Sequence, residues 1–204
     1  ALNLKHGYWY NLDSGSSQKR TFTLSKITTA MPLPQEGDKI AVYNKTTFEG
    51  HGTYTVVSAT EESGKFIVTV KERIANLNTW GECRVTFLSH TPEFVFRNNI
   101  VRNKRNRGIL VQVPNAIIEN NAFINVGHGS IQAASAMDQF NEATVPQGLT
   151  IRNNKFIHNN YLKEGTLYGD VSVFAISSNA SVAPAGTIKN YVLENNFFSE
   201  NGNS

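Results

Sequence analysis

Few side chains in this sequence have the type and spacing to do chemistry. Two carboxylates, Asp138 and Glu142, stand in "AASAMDQFNEATVPQ" at 133–147, a stretch that interrupts an otherwise regular repeat. Long loops of this kind usually build the binding face of a repetitive fold, so both acids are candidates for acid–base work, with a solvated loop charge as the plain alternative. Arg107 and His128 each precede a short apolar strand, one repeat apart, and could therefore stand side by side. His6 is followed closely by Tyr8, Trp9 and Tyr10. Arginine, histidine and carboxylates interleaved with aromatics suit the recognition of sugar hydroxyls; an exposed turn residue is the plain reading of each. No Cys/His cluster has metal-ligand spacing, and neither a G-x-S-x-G elbow nor a phosphate loop occurs, so no metal and no cofactor are expected.

These residues must be positioned by something, and the sequence names it four times. "FVFRNNIVRN" (94–103), "AIIENNAFIN" (116–125), "LTIRNNKFIHN" (149–159) and "YVLENNFFSEN" (191–201) share one pattern: apolar, charged, Asn-Asn, apolar. Phe96, Ile118, Ile151 and Leu193 precede the pairs, and Phe94, Ala116, Leu149 and Tyr191 lie two positions earlier, the period of a strand face. Asparagine tolerates the left-handed backbone region, so each pair suits a corner between strands. The first spacing is close to one turn of a right-handed parallel β-helix, and the longer later spacings fit the same turn carrying loops. Stacked coils would pair equivalent Asn amides and align Val101, Phe123, Phe156 and Phe198 as an interior ladder. A second strand per coil is expected in "RGILVQV" (107–113), "HGSIQAA" (128–134) and "DVSVFAI" (170–176), with Gly108 and Gly129 at equivalent turns.

Residues 11–92 lack the Asn-Asn signature. They carry alternating segments, "RTFTLSKI", "DKIAVYN", "TYTVVSAT", "KFIVTVKE" and "CRVTFLS", separated by turn clusters, which predicts a small antiparallel barrel or sandwich. The expected layout is therefore all-β, a pectate-lyase-like solenoid: a β-helix strand at 1–10, an inserted barrel at 11–92 and β-helix coils at 93–204. A short helix is expected only in 133–142.

Composition bounds the rest. The chain has 204 residues, 40% of them hydrophobic, enough for a genuine core, and a net charge of +3. Its bases are scattered except for "RNKRNR" at 102–107, so nucleic acid is not an expected partner. No apolar run approaches the ~18 residues of a membrane span. One cysteine, Cys83, rules out an internal disulfide. The opening "ALNLKHGYWY" has neither an initiator Met nor a signal-peptide layout and reads as a strand, so a fragment of a longer chain is expected.

The order of these pieces resembles bacterial glycoside hydrolase family 110. The resemblance rests on "ALN" followed by "HG", the insertion with "GDKIAVY", then "RNNIVRNKRNRGILVQVPNAIIENNAFINVGHGSIQ", an acidic loop and "LTIRNNKF". It covers most of the chain. It implies an exo-acting α-1,3-galactosidase on a right-handed parallel β-helix with an inserted barrel, hydrolysing terminal α-galactosides of glycans with inversion, in the periplasm or at the cell surface. In an inverting pair, one carboxyl protonates the leaving oxygen while the other activates water. The family's acidic loop residue matches Glu142, with Asp138 as the fallback, and Arg107 matches the arginine of its R-x-R-G stretch. The family pattern also places adjacent aspartates just before the "A-x-N" that here opens the chain, so weak or no turnover is expected from these 204 residues alone. Two other readings stay open: a non-catalytic carbohydrate-binding β-helix, supported by abundant Asn, Tyr and Trp, and a polysaccharide lyase, supported only by "RNKRNR".

Overall fold

The computed structural model describes residues 2–4, 9–26, 32–75, 77, 79–135, 137, 144–145, 147–162, 169–175 and 183–200. Among these the chain is all-β, with two single-turn 3₁₀ segments and no α-helix. After β1 (Leu2–Leu4), six antiparallel strands close into a barrel in the order β2-β3-β6-β5-β4-β7. They are β2 (Trp9–Gly15), β3 (Thr21–Ser25), β4 (Lys39–Asn44), β5 (Gly50–Glu62), β6 (Lys65–Val70) and β7 (Cys83–Phe87). Period-2 alternation fills the barrel with Leu12, Phe22, Leu24, Ile40, Val42, Phe66, Val68 and Val85.

The sequence foresaw five of these strands. The sixth, β2, begins inside the stretch assigned to the β-helix: Trp9 and Tyr10 pair with Thr86 and Val85. Without β2 the sheet could not close, because it joins β3 to β7.

Eleven strands follow. They are β8 (Val95–Arg97), β9 (Ile100–Lys104), β10 (Ile109–Val111), β11 (Ile117–Glu119), β12 (Ala122–Val126) and β13 (Ile131–Ser135), then β14 (Thr150–Arg152), β15 (Lys155–Ile157), β16 (Val171–Ala175), β17 (Val192–Glu194) and β18 (Phe197–Ser199). With β1 they form three parallel four-stranded sheets: sheet one is β1-β10-β13-β16, sheet two β8-β11-β14-β17 and sheet three β9-β12-β15-β18. The chain visits two, three and one in turn and starts again, an arrangement compatible with a β-helix. Ala133–Ser135, expected as the start of a helix, are strand: all three pair with β16, and Ala133 pairs with β10 as well. Two ladders outweigh the helix propensity of three small residues.

The Asn-Asn pairs make one corner. Asn98, Asn120, Asn153 and Asn195 all take φ between 53° and 59°. The second asparagine of each pair points along the stack. Asn154 accepts from the Asn121 amide at 3.0 Å and from its backbone N–H at 2.9 Å, and donates to Asn196 at 3.1 Å and to the Ile118 carbonyl at 2.9 Å. Asn154 is buried, so truncation strands all of these partners. Asn154→Ala should lower stability by roughly 2–3 kcal/mol, the scale of buried polar groups left unpaired. Urea denaturation checks this; a loss under ~0.5 kcal/mol would mean the ladder is ornamental.

The aromatic ladder packs inside the sheets. Phe123 and Phe156 are fully buried and stack at 5.2 Å with planes 8° apart. Phe198 stacks on Phe156 at 4.7 Å, but on the last described rung it stays 43% exposed. On sheet two, the charged slot alternates in sign up the register: Arg97, Glu119, Arg152, Glu194. These positions are partly paired, with Glu119 held by Arg152 at 2.7 Å.

Candidate functional site

Alternation along sheet one separates two faces. Ile109, Val111, Ile131 and Ala133 point into the core with Val171 and Val173. Their neighbours point the other way: Leu110 on β10 and Gln112 just after it, Ser130 and Gln132 at β13, Asp170 and Ser172 at β16. An outward strand face normally meets water, yet Ser130, Gln132, Asp170 and Ser172 are all under 9% exposed. On sheets two and three the corresponding outward residues are half-buried or exposed. Sheet one alone therefore carries a covered outward face, and its buried residues are polar apart from Ala134, with Leu110 and Phe174 half-buried beside them. Buried polar groups cost free energy unless they are paired, so such a face is unlike a structural core.

The barrel packs against segments at the end of sheet one. Trp9 and Phe48 form one apolar cluster with Met137 and Val145, which follow β13, with Ala175 at the end of β16 and with Ala183 beyond it. Trp9 and Tyr10 are thus not sugar platforms, as the sequence suggested. Trp9 is fully buried in this junction and packs edge-on against Tyr43, while Tyr10 fills the barrel and donates its hydroxyl to the Pro32 carbonyl.

Arg107 and His128 flank the leading end of sheet one, both half-buried. The register runs Ile109↔Ile131, and Val126↔Lys104 on the preceding sheet, so the same offset holds across the turn. It sets Arg107 beside Gly129 and His128 beside Asn106, one step out from the side-by-side placement read in the sequence. Glycine is required in this corner: a Cβ at Gly108 would lie 2.5 Å from the Ser130 carbonyl and one at Gly129 2.6 Å from that of Gly169.

Asp170 stands next in this corner. The Ser130 hydroxyl donates to its Oδ1 at 3.2 Å. Burial pushes the carboxyl up to about 6, and the serine bond opposes that rise. A carboxyl that keeps its proton well above the usual carboxylate range can act as an acid near neutrality.

No family model matches the chain. It is 30% identical over 164 residues to alpha-1,3-galactosidase B of Akkermansia muciniphila, a match that takes in 79% of this chain and 20% of the relative. The chain is a relative of the alpha-1,3-galactosidases B. The same name belongs to a protein of Phocaeicola vulgatus, 30% identical over 48% of the chain and 17% of its own length. A Bacteroides fragilis protein of that name is 28% identical over 60% of the chain and 22% of its own length. The chain spans about a fifth of the length of the curated relatives it matches.

His6, Tyr8, Asp138 and Glu142 lie outside the described residues. Met137 and Val145, which flank the acidic loop, are buried against the barrel at the trailing end of sheet one. Asp170 was missed because the sequence was aligned on the Asn pairs. Aligned instead on the first strand residue of sheet one, "RG-I", "GS-I" and "GD-V" bring Gly108, Ser130 and Asp170 into one column. Among the described residues no group of three or more His, Cys, Asp or Glu could hold a metal ion, and no helix is long and apolar enough to cross a membrane.

Proposed function

We propose that the chain is the catalytic part of a periplasmic or secreted glycoside hydrolase acting on terminal α-galactosides of glycans. In this reading it is a right-handed parallel β-helix with the barrel inserted after its first strand. The observation that carries the reading is the covered polar face of sheet one with Asp170 on it; the names of the relatives supply the substrate class. Arg107 and His128 offer donors to ring hydroxyls. Asp170 gives its proton to the glycosidic oxygen as the bond from the anomeric carbon breaks. Water adds to that carbon from the opposite side and passes a proton to Glu142, reaching in from the loop, with Asp138 as its alternate. Such a pair needs about 6.5–9.5 Å between carboxyls to admit the water. The aspartates that the family resemblance puts just before Ala1 would continue β1, whose register is Leu2↔Ile109, and so would arrive beside Asn106 and Arg107, where their carboxylates would hold the galactose hydroxyls in place for turnover.

Extending the protein upstream through those acids should yield free galactose from α-1,3-galactobiose, with little or none from the 204 residues alone. In the longer protein Glu142→Gln should slow release by ~100-fold, the lower end of acid–base assistance. An unchanged rate would remove Glu142 from the mechanism. Sugar binding without turnover in the longer protein would instead favour a binding module, and an unsaturated, ultraviolet-absorbing product a lyase.

A further inference from the structure

A cavity opens at the corner of sheet one opposite Arg107 and His128. It has a volume of about 430 Å³ and lies between the β4–β5 hairpin of the barrel and residues 184–189, within the ~300–1,000 Å³ of small-ligand clefts. We propose that this cleft is a second carbohydrate site, holding a neutral part of the glycan whose terminal galactose occupies the face with Asp170. It rests on the glycosidase reading for the identity of the glycan, and on its own geometry for the site.

The lining decides the ligand class. Glu49 comes from the barrel wall and Lys189 from the opposite one. Both are exposed, and neither side chain makes an ion pair or hydrogen bond with another described residue. One anion and one cation together disfavour a phosphate or a polyanion, which Glu49 would repel, and they disfavour an apolar ligand, which would strip water from both. A neutral polyol suits them, since each hydroxyl both donates and accepts. Tyr43 adds an aromatic surface, held in place by its edge contact with Trp9 at 5.7 Å. Beside it the hairpin presents bare backbone at Gly50 and Gly52. Gly52 is held to glycine by φ 109° and by the Tyr54 hydroxyl, 2.8 Å from where its Cβ would sit. The hairpin is also strained: Phe48 takes φ 61°, an unusual value for a bulky residue, beside Thr46 and Thr47, whose N–H groups are fixed by the Asn44 side chain.

Its position fits a shared ligand. Gln147 bridges to Lys189 just before β14 and β17, at the trailing corner of sheet one, whereas Arg107 and His128 mark the leading corner. The strands between are three to five residues long, or ~10–16 Å at 3.3 Å per residue, so a glycan lying along them reaches both.

The test is an amide chemical-shift titration of the 204-residue chain with a neutral tetrasaccharide ending in α-1,3-linked galactose. Saturable shifts are expected at Gly50, Gly52, Gly186 and Lys189. The double variant Glu49→Gln, Lys189→Met should weaken binding at the cleft about tenfold, moving the midpoint of these shifts to correspondingly higher sugar concentration, the scale of a lost charge-assisted hydrogen bond. Shifts at Gly108, Ser130 and Asp170 should persist in that variant. If only the latter group moves in the parent chain, the second site is refuted and the glycosidase reading stands. If only the cleft moves, the second site stands and the placement of the galactose face fails. Silence at both refutes both.

Discussion

Phe156→Ala should destabilise the chain by about 3–5 kcal/mol, the range for removing a fully buried aromatic ring. Phe156 is buried completely and stacked on both sides, by Phe123 at 5.2 Å and by Phe198 at 4.7 Å. The rungs above and below are fixed by continuous ladders, so the walls cannot collapse to refill the space. The lost ring therefore leaves a cavity as well as lost transfer energy. Phe198→Ala should cost distinctly less, because that ring is 43% exposed. Urea denaturation of both variants, with unchanged m-values, measures the difference. A loss below ~1 kcal/mol for Phe156→Ala, or equal losses for the two, would contradict the interior ladder.

Asp170→Asn should slow galactose release by the upstream-extended protein by roughly 100- to 10,000-fold, the span of general acid–base catalysis. The parent should lose activity as pH rises past about 6, where Asp170 gives up the proton it must donate, and the residual activity of the variant should lack that limb. Ser130→Ala removes the bond that holds the pKa down, so it should move the limb to higher pH. Stability also falls as pH rises. The folded pKa is raised above the ordinary 3.8, so below about pH 3.8 both states hold the proton and the group contributes nothing. Between about 3.8 and 6 the unfolded chain ionises first, and the folded state loses up to ~3 kcal/mol in relative stability by neutral pH. Asparagine at 170 cannot ionise and can still accept from Ser130. Asp170→Asn should therefore be the more stable protein at pH 8 and show no such advantage at pH 3.5. Chemical denaturation at the two pH values checks the sign; a variant destabilised equally at both would make Asp170 a purely structural acceptor.

The corners were legible in the sequence because a positive φ leaves few choices of residue, and Asn98, Asn120, Asn153 and Asn195 each made the same one. The Phe123–Phe156–Phe198 ladder followed from its fixed offset to those corners. The barrel strands were legible through period-2 alternation. What failed did so where context overrides local pattern. Ala133–Ser135 look helical in isolation and are strand because β16 pairs with all three and β10 with Ala133. Trp9 and Tyr10 look like a sugar platform, and only the closure of the barrel shows that they are buried. Asp170 looked like any strand-flanking acid. Its burial depends on the cover over sheet one, and its register was hidden because β13 and β16 are 40 residues apart while the Asn pairs of the same coils are 33 apart.

The most direct measurement is a crystal structure of the chain with α-1,3-galactobiose bound. The terminal galactose should lie on the outward face of sheet one, its hydroxyls toward Arg107 and His128, with the glycosidic oxygen within ~3 Å of an Asp170 carboxyl oxygen, the reach of proton transfer. A galactose ring seated on the outward face of sheet two or three, or found only in the barrel cleft, would contradict the account.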